Sequence, residues 1–399
     1  MRDMASTLKG ESVTIPLRAG DLRLDMDEGA RRPDLFRVAE RINPKRAFLF
    51  VSTVLGRHIP VRPRDHMRAA EILARDVSDA LQGRDALVVG YAETAVGLGG
   101  AVARSLSRMR PDAHTGYLST TRHPVEGRNW FSFTEGHSHA AQHYVLRPNP
   151  DVISDDDSRV LVLVDDEATT GVTFASLVKS ARDADLRFSE VILVTLTDWS
   201  AGNARDIVRK AGAGVPVSMM TLMTGEWAWS PNPAYHAPKL PECGPSKTPC
   251  WAPEPTTPEC YAAPRLGTCS FLGPNIEVFK ARGLSVPDNR ERTLVIGTGE
   301  NVWGPMLFAE SLEDRGCDVS FVATTRSPVI PGDVIREKMT FSDHFGEGRN
   351  MYLHNVVPEK WDHIILMTET PHTGVCPALR NALGRAQIVS GQGHVKGIS

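Results

Sequence analysis

Two adjacent carboxylates, Asp165 and Asp166, and the hydroxyl-rich turn after them are the residues best suited to chemistry. They follow the branched apolar run Leu161–Val164, which is typical of a buried parallel strand. The turn Thr169–Gly171, with Thr173 behind it, opens a stretch of helical spacing, and backbone amides at a helix N-terminus favour an anion. Carboxylates suit a sugar diol and amides suit a phosphate. The pattern therefore predicts a site for a ribose 5-phosphate group.

Common capping and nucleotide-binding motifs fit the chain less well. A strand followed by an Asp-capped helix occurs in many α/β proteins, but such a cap does not require two carboxylates, three threonines and a glycine in this order. A Walker A loop is excluded because no Gly-Lys-Ser/Thr follows. The cluster Gly97–Gly100 is a poor dinucleotide fingerprint, because its third glycine falls at the wrong spacing.

The elements before this site alternate between strand-like and helix-like patterns. Apolar runs predict strands, and apolar residues at helical spacing predict the helices between them. The predicted strands cover residues 47–51, 86–90 and 116–121, and the predicted helices cover residues 64–81, with Pro63 in the first turn, and 101–109. This order implies an α/β fold with a mostly parallel sheet, in which ligands bind beyond the carboxyl ends of the strands.

The thirteen residues Leu161–Thr173 resemble the phosphoribosyl pyrophosphate (PRPP) signature of type I phosphoribosyltransferases. The resemblance implies that fold, binding of PRPP, and Mg²⁺ held mainly through PRPP and water. It assigns Asp165 and Asp166 to the 2′ and 3′ hydroxyls of the ribose. Thr169, Thr170, Gly171 and Thr173 hold the 5′-phosphate, and Glu167 and Ala168 are further substrate-binding residues.

Two further loops receive roles from the same resemblance. Ala92, Glu93 and Thr94 take the place of the pyrophosphate loop, although an ordinary strand-to-helix turn would also explain them. Residues 121–143 lack clear periodicity and are interpreted as a catalytic lid, in which Arg122 stabilises the leaving pyrophosphate and Arg128 is a weaker second candidate. Thr169 replaces the acid or base of purine-salvage enzymes, so proton transfer is left open among Glu93, Glu135 and His137.

The C-terminal part repeats three features of the first half in the same order. Residues 294–304 repeat the pattern of residues 87–97, and residues 324–329 echo residues 120–125. Residues 364–374 fall where the PRPP signature would, but Thr368-Glu369 replaces the aspartate pair and Pro371 removes an amide donor. The order predicts a duplication whose second copy keeps the fold. This copy could bind a related ligand, dock against the first half or complete its acceptor pocket. Altered ligand binding is favoured slightly over a purely structural role.

Thr325–Pro328 is the Thr-Arg-Ser-Pro sequence after which the C-terminal TRSP domain of one bacterial phosphoribosyltransferase family is named, and Asn43–Arg46 and Val54–His58 resemble that family's opening. The resemblance implies an association with tellurium-resistance and stress gene clusters, and a role in making a nucleoside-like metabolite. It gives three regions: a phosphoribosyltransferase domain at 1–230, a linker at 231–275, and a TRSP domain at 276–399 that is a degenerate repeat of the core.

Composition marks the linker. Ten of the chain's 28 prolines lie between Pro231 and Pro264, which disfavours regular helix or sheet. Four of the six cysteines lie in the linker region 231–275, but their spacing is too wide to resemble a zinc site, and free thiols are the preferred interpretation. The histidines between residues 137 and 143 are weighed in the same way and explained without a metal. Those cysteines are Cys243, Cys250, Cys260 and Cys269.

Net charge and hydropathy limit the function classes. A net charge of −3 over 399 residues offers no basic surface for nucleic acid, and no apolar run approaches bilayer length, so a cytoplasmic location is expected. The predicted function is transfer of phosphoribose from PRPP to a base or base-like acceptor. A non-catalytic PRPP or nucleotide regulator is the alternative, and the reverse reaction and a homodimer are left open.

Overall fold

The structure is a computed structural model that describes residues 12–27, 34–43, 46–134, 142–239, 251 and 264–397. Its first half contains strands β1 (Ser12–Leu17), β2 (Gly20–Met26), β3 (Phe36–Arg41), β4 (Phe48–Ser52), β5 (Ala86–Gly90), β6 (Thr115–Ser119), β7 (Asn129–Thr134), β8 (Gln142–Leu146), β9 (Val160–Ala168), β10 (Glu190–Asp198) and β11 (Val217–Pro231), with helices α1 (Pro63–Leu81), α2 (Val96–Met109), α3 (Val172–Asp183) and α4 (Asn203–Ala211).

The second half begins with helix α5 and ends in a short antiparallel strand. Its strands are β12 (Arg292–Gly297), β13 (Asp318–Ala323), β14 (Val329–Ile330), β15 (Lys338–Ser342), β16 (Asn350–His354), β17 (His363–Met367), β18 (Gln387–Val389) and β19 (Val395–Gly397), and its helices are α5 (Ile276–Ala281), α6 (Trp303–Glu313) and α7 (Pro377–Leu383).

The first half is built on a seven-stranded sheet in the order β1-β2-β11-β10-β9-β5-β6. The five strands from β11 to β6 are parallel, while β1 and β2 form an antiparallel edge. Residues 160–164 of β9 are buried, as expected for a parallel strand covered on both faces. The predicted α/β class with a mostly parallel sheet is therefore confirmed.

The second half repeats this order in a smaller sheet, β13-β12-β17-β18-β19. Its first four strands are parallel, and they match β6, β5, β9 and β10 in sequence order and position. Each half also carries an antiparallel hairpin, β7–β8 in the first and β15–β16 in the second. The related α/β pattern predicted for the C-terminal part is thus present in the topology.

The two halves interlock through backbone pairing and share one hydrophobic core. Strand β14 of the second half pairs with β3 and completes the small sheet β14-β3-β4. In the other direction, Val61 exchanges two backbone hydrogen bonds with Phe321 of β13, at 2.9 and 2.7 Å. The largest buried cluster includes Leu163 of β9 as well as Trp303 and Phe308 of α6.

Two predicted elements differ from the structure. The segment interpreted as a lid contains β7 and β8. Only residues 131–134 of β7 alternate between apolar and polar side chains, and so short a stretch does not stand out in the sequence. Helix α2 begins at Val96, earlier than the predicted residue 101, because Gly97, Gly99 and Gly100 weaken the helical signal. A side chain at Gly100 would place Cβ 2.5 Å from Cδ2 of Trp303, so this glycine permits close packing of α2 on α6.

Several candidates lie outside the described residues: Glu135, His137, His139, Cys243, Cys250 and Cys260. Within the described ranges, no helix has the length and apolar character needed to cross a membrane.

Candidate active site

The two adjacent carboxylates lie at the carboxyl end of β9, in the interior of the parallel sheet. Asp165 and Asp166 are half-buried, and Asp165 Oδ1 accepts a hydrogen bond from the Asp166 amide at 2.9 Å. They line a cavity of about 820 Å³ together with Glu167 and Thr173. β10 and β5 flank β9 on its two sides, so the sheet fixes the position of the doublet rigidly.

The third acidic residue of this strand end is engaged by the β3–β4 region. Arg46 donates two hydrogen bonds to the Glu167 carboxylate, at 2.7 and 2.8 Å. The same guanidinium lies over the rings of Phe48 and Phe50, at 4.8 and 5.2 Å from their centroids. Glu167 was predicted as a substrate-binding residue, but its carboxylate forms a bidentate ion pair with Arg46. This ion pair connects the β3–β4 region to the end of β9.

This crowding of carboxylates changes the acidity of the doublet. Burial, and then the negative charge of Glu167, raise the pKa of Asp166 to about 6, although the hydrogen bond with Asp165 and the charge of Arg46 oppose the shift. A carboxyl group that titrates near neutrality at the floor of a cavity is a common property of functional sites.

The loop after β5 forms a second wall of the cavity, lined by Tyr91, Ala92, Glu93 and Thr94. The Ala92 amide donates to Thr120 Oγ1 at 2.9 Å, which holds this loop against the end of β6. The Glu93 carboxylate faces the second half of the chain, where Arg326 Nε lies 3.0 Å from Oε1. The predicted pyrophosphate loop thus lies in the same cavity as the acidic doublet.

Arg122, predicted to stabilise the leaving group, also lines this cavity. Its backbone is held by the second half, because the Arg122 amide donates to Glu300 Oε1 and Thr121 Oγ1 donates to Glu300 Oε2, both at 2.5 Å. Behind it, His143 of the hairpin is buried and stacks on Phe133 with ring centroids 4.7 Å apart. Arg128, the second candidate, is exposed and is not among the residues that line the cavity.

The turn predicted to hold the phosphate is divided between two cavities. Thr173 lines the main cavity, whereas Thr169 and Thr170 line a neighbouring one of about 410 Å³ with Trp199. Ala168 is buried and accepts a backbone hydrogen bond from Trp199 at 2.8 Å. Gly171 has a φ of +77°, and a Cβ there would lie 2.5 Å from Ala204 Cα, so both the turn and its packing require glycine.

Several cavity residues were not predicted. Arg41, Arg57 and His58 come from the first half, and Arg326 and Arg349 come from the second. Arg326 was identified only through the repeat and the Thr-Arg-Ser-Pro sequence, and was assigned to no site. In the structure it lines the cavity of the first half. Its position depends on how the halves pack, which no local pattern encodes.

Arg57 is the most deeply buried of these cations, with an exposure of 2 %. Its Nη1 donates to the carbonyls of Gly299 and Thr324 in the second half, at 2.7 and 2.9 Å. Its Nε and Nη2 make no hydrogen bond within the described chain, and Nη2 lies 3.7 Å from Glu93 Oε2. Arg57 thus joins the halves and keeps donors at the cavity wall.

The corresponding position in the second half is filled by protein side chains. Glu369, at the place of the aspartate pair, forms an ion pair with Arg265 from the segment that connects the halves, and His344 Nε2 lies 3.9 Å from its other oxygen. Burial raises the pKa of Glu369, but the charges of Arg265 and His344 outweigh it and lower the pKa to about 2. The carboxylate at this position is thus paired with a cation of the same chain, whereas the acidic doublet of the first half lines a cavity.

Metal ligands are not clustered in the described part of the chain. No group of three or more His, Cys, Asp or Glu side chains there is arranged to hold a metal ion. Of the linker cysteines, Cys269 is described as a free thiol, and its Sγ donates to Asp151 Oδ2 at 3.3 Å.

Comparison with known families matches both halves of the chain. Residues 35–226 match the family described as phosphoribosyl transferase. Residues 276–378 match the TRSP domain, described as C-terminal to that phosphoribosyl transferase domain. A search of curated proteins gave no match.

Three phosphoribosyltransferases are among the solved structures that match the chain. Adenine phosphoribosyltransferase from Trypanosoma brucei is 16% identical, with 47% of this chain and 76% of that chain covered and a TM-score of 0.33. The enzyme from Giardia lamblia is also 16% identical, with 47% and 93% covered and a TM-score of 0.31. Orotate phosphoribosyltransferase from Aeropyrum pernix is 17% identical, with 47% and 87% covered and a TM-score of 0.29.

Proposed function

We propose that this chain, whose two halves match the phosphoribosyl transferase family and its C-terminal TRSP domain, transfers a 5-phosphoribosyl group from PRPP to a base or base-like acceptor and releases pyrophosphate. The observation that carries the proposal is the acidic doublet, Asp165 and Asp166, at the floor of the 820 Å³ cavity that also holds the loop 91–94 and Arg122.

The two carboxylates suit the ribose end of the substrate. Ionised Asp165 and Asp166 accept hydrogen bonds from the 2′ and 3′ hydroxyls, and each charge-assisted bond contributes roughly 1.5–3 kcal/mol. Thr173 and the amides that begin α3 lie next along the chain and suit the 5′-phosphate. Thr169 and Thr170 reach the same phosphate if the turn closes around it.

The reaction breaks the bond between ribose C1 and the pyrophosphate oxygen, and the electron pair leaves with the pyrophosphate. A nitrogen of the acceptor forms the new bond to C1 and releases its proton. Because positive charge develops on the ribose, the site needs positioning and electrostatic stabilisation and not a covalent nucleophile. The doublet stabilises the cationic ribose, and Arg122 stabilises the negative charge that gathers on the pyrophosphate.

Magnesium fits this site as a partner of the substrate. The described residues offer no cluster of three protein ligands, and Mg²⁺ in phosphate sites usually keeps water and substrate oxygens as ligands. When bound, the ion would neutralise charge on the pyrophosphate. Of the three candidates for proton transfer, Glu93 lines the cavity, and its carboxylate is paired with Arg326.

The decisive experiment measures pyrophosphate release with PRPP, Mg²⁺ and a panel of purine, pyrimidine and related bases. The variant Asp165→Asn with Asp166→Asn should lose at least about 100-fold in rate, because two charge-assisted hydrogen bonds are weakened. The surface pair Asp156→Asn with Asp157→Asn is the matched control, because both side chains are exposed and precede β9, at the end of the strand opposite the cavity. Unchanged release in the first variant contradicts the proposed site.

A non-catalytic PRPP or nucleotide regulator is the second candidate. It is favoured by the cations of the cavity, Arg41, Arg57, Arg122, Arg326 and Arg349, which would hold an anionic nucleotide without any chemistry. Tight PRPP binding without turnover on any acceptor would favour the regulator.

We place the product in the synthesis of a nucleoside-like metabolite, on the resemblance of the two-domain arrangement to the bacterial family. Mass spectrometry of the reaction product identifies the acceptor. The association with tellurium resistance is a prediction of the same resemblance, and growth of a deletion strain on tellurite tests it.

A further inference from the structure

The two halves of the chain are related by matching contacts as well as matching strand order. The Thr120 amide donates to the Gly90 carbonyl at 2.9 Å, and the Thr324 amide donates to the Gly297 carbonyl at the same distance. Thr121 pairs with Tyr144 of the first hairpin as Thr325 pairs with Tyr352 of the second. Residues 120–122 and 324–326 are therefore equivalent loops in equivalent surroundings.

Each of these two loops contacts a glutamate of the opposite half. The amide of Arg122 donates to Glu300, which belongs to the second half, and the amide of Arg326 lies 3.4 Å from Oε2 of Glu93, which belongs to the first. Glu93 and Glu300 occupy equivalent positions after β5 and β12. Each arginine loop is thus held by the glutamate of the opposite half.

The Arg326 loop is anchored where it enters the first half. Directly after the Thr-Arg-Ser-Pro sequence, Val329 and Ile330 pair with Arg41 and Glu40 of β3. Val329 is fully buried in a small apolar cluster formed by residues of both halves. The backbone of this segment is therefore fixed beside the cavity.

The Arg326 side chain projects to the loop that resembles the pyrophosphate site. Its Nε lies 3.0 Å from Glu93 Oε1, and its Nη2 lies 3.1 Å from His123 Nε2. Glu93 by itself would repel an anion at this loop, but Arg326 and the buried Arg57 place two cations beside it. At this wall of the cavity, Nε and Nη2 of Arg57 have no hydrogen-bond partner among the described residues.

We propose that the second half completes the active site of the first, and that Arg326 binds the pyrophosphate end of the substrate together with Arg57. This inference rests on the proposed function, because it assigns the loop 91–94 to pyrophosphate. When Mg²⁺-pyrophosphate binds, the guanidinium of Arg326 turns from the carboxylate of Glu93 to the phosphate oxygens. The TRSP sequence is then a component of the phosphoribosyltransferase site.

Calorimetry with the full chain tests this proposal with two ligands, Mg²⁺-pyrophosphate and ribose 5-phosphate. Arg326→Ala should weaken pyrophosphate binding by about 10- to 100-fold, the effect of one lost charge-assisted contact, and leave ribose 5-phosphate binding unchanged. Arg326→Lys should restore part of the loss. The control is Arg62→Ala, which removes an exposed arginine that also crosses between the halves, to Asp318, away from the cavity.

A second variant separates ligand binding from a merely structural ion pair. Glu93→Gln removes the competing carboxylate and should tighten pyrophosphate binding, whereas a structural role for the Glu93–Arg326 pair predicts the same loss in both variants. Wild-type affinity for pyrophosphate in a folded Arg326→Ala protein overturns the inference and leaves the proposed function intact. Failure of the wild-type protein to bind ribose 5-phosphate overturns the proposed function itself.

Discussion

At the scale of single residues, the raised pKa of Asp166 is expected to make ligand binding depend on pH. Its pKa of about 6 arises from burial and from the charge of Glu167, so the fraction of ionised side chain changes most steeply just below neutrality. Only the ionised form accepts hydrogen bonds from a ribose hydroxyl at both oxygens. Binding of the sugar should therefore follow the titration of this one carboxyl group.

We expect affinity for ribose 5-phosphate to rise as the pH increases from about 5 to about 7, the range around this pKa. The phosphate of the ligand also titrates near pH ~6, so the informative quantity is the difference between the wild-type protein and Asp166→Asn, measured by calorimetry at each pH. The variant should retain only the ligand's own dependence. Identical pH profiles for the two proteins would show that Asp166 does not control binding.

The raised pKa of Asp166 acts in the opposite direction on stability: it favours the folded protein at low pH, whereas ligand binding is expected to strengthen at high pH. A folded-state pKa raised from 3.8 to about 6 means that the folded protein binds this proton more tightly than the unfolded chain does. The contribution of Asp166 to the free energy of unfolding is therefore fully present below pH 3.8 and is lost as the pH rises through about 6.

At the scale of elements, the sequence predicted those strands, turns and helices whose signals lie within one short stretch of the chain. The strand and turn of residues 161–173, helix α1 and strand β5 carry dense apolar patterns with clear end signals, and all were predicted close to their observed positions. The acidic doublet and the loop 91–94 could be placed at the carboxyl ends of strands for the same reason. Arg57 and Arg326 were missed as members of the first site, because they reach it by packing between segments more than 200 residues apart.

In the contact between α2 and α6, the large side chain of Trp303 packs directly against the backbone of Gly100. Trp303 is fully buried against Gly100, and Arg104 lies over its ring at 5.6 Å from the centroid. We expect Trp303→Ala to lower the free energy of unfolding by about 3–5 kcal/mol, the usual loss for a buried aromatic residue. Urea denaturation measures it, with the half-buried Trp361→Ala as the control. Equal, small losses in both variants would contradict this interpretation of the packing.

At the scale of the whole molecule, we expect the two halves to behave as one folding unit, because they share the largest apolar cluster. The largest apolar cluster runs from β9 through α2 and α6 to Ile365 of β17. Arg104 and Glu310 join α2 to α6 by two hydrogen bonds, at 2.5 and 2.6 Å. A core shared in this way couples the unfolding of the two sheets.

We therefore expect hydrogen exchange of the slowest amides in β9 and in β17 to report the same free energy of opening. Exchange followed by mass spectrometry at increasing urea concentrations gives the two values. The amides of the exposed β1 edge are the internal control and should exchange by local opening. A β17 that opens well before β9 would mean that the second half unfolds independently.

Each arginine loop is held by the glutamate of the opposite half, and this arrangement has one evolutionary consequence. In an assembly of two identical chains, every substitution appears twice, so a residue improved for one active site is imposed on its twin. Fusing the copies removes that constraint. The first copy is then free to keep the chemistry, while its twin, in which Glu369 is paired with Arg265, can evolve as the other wall of its neighbour's pocket.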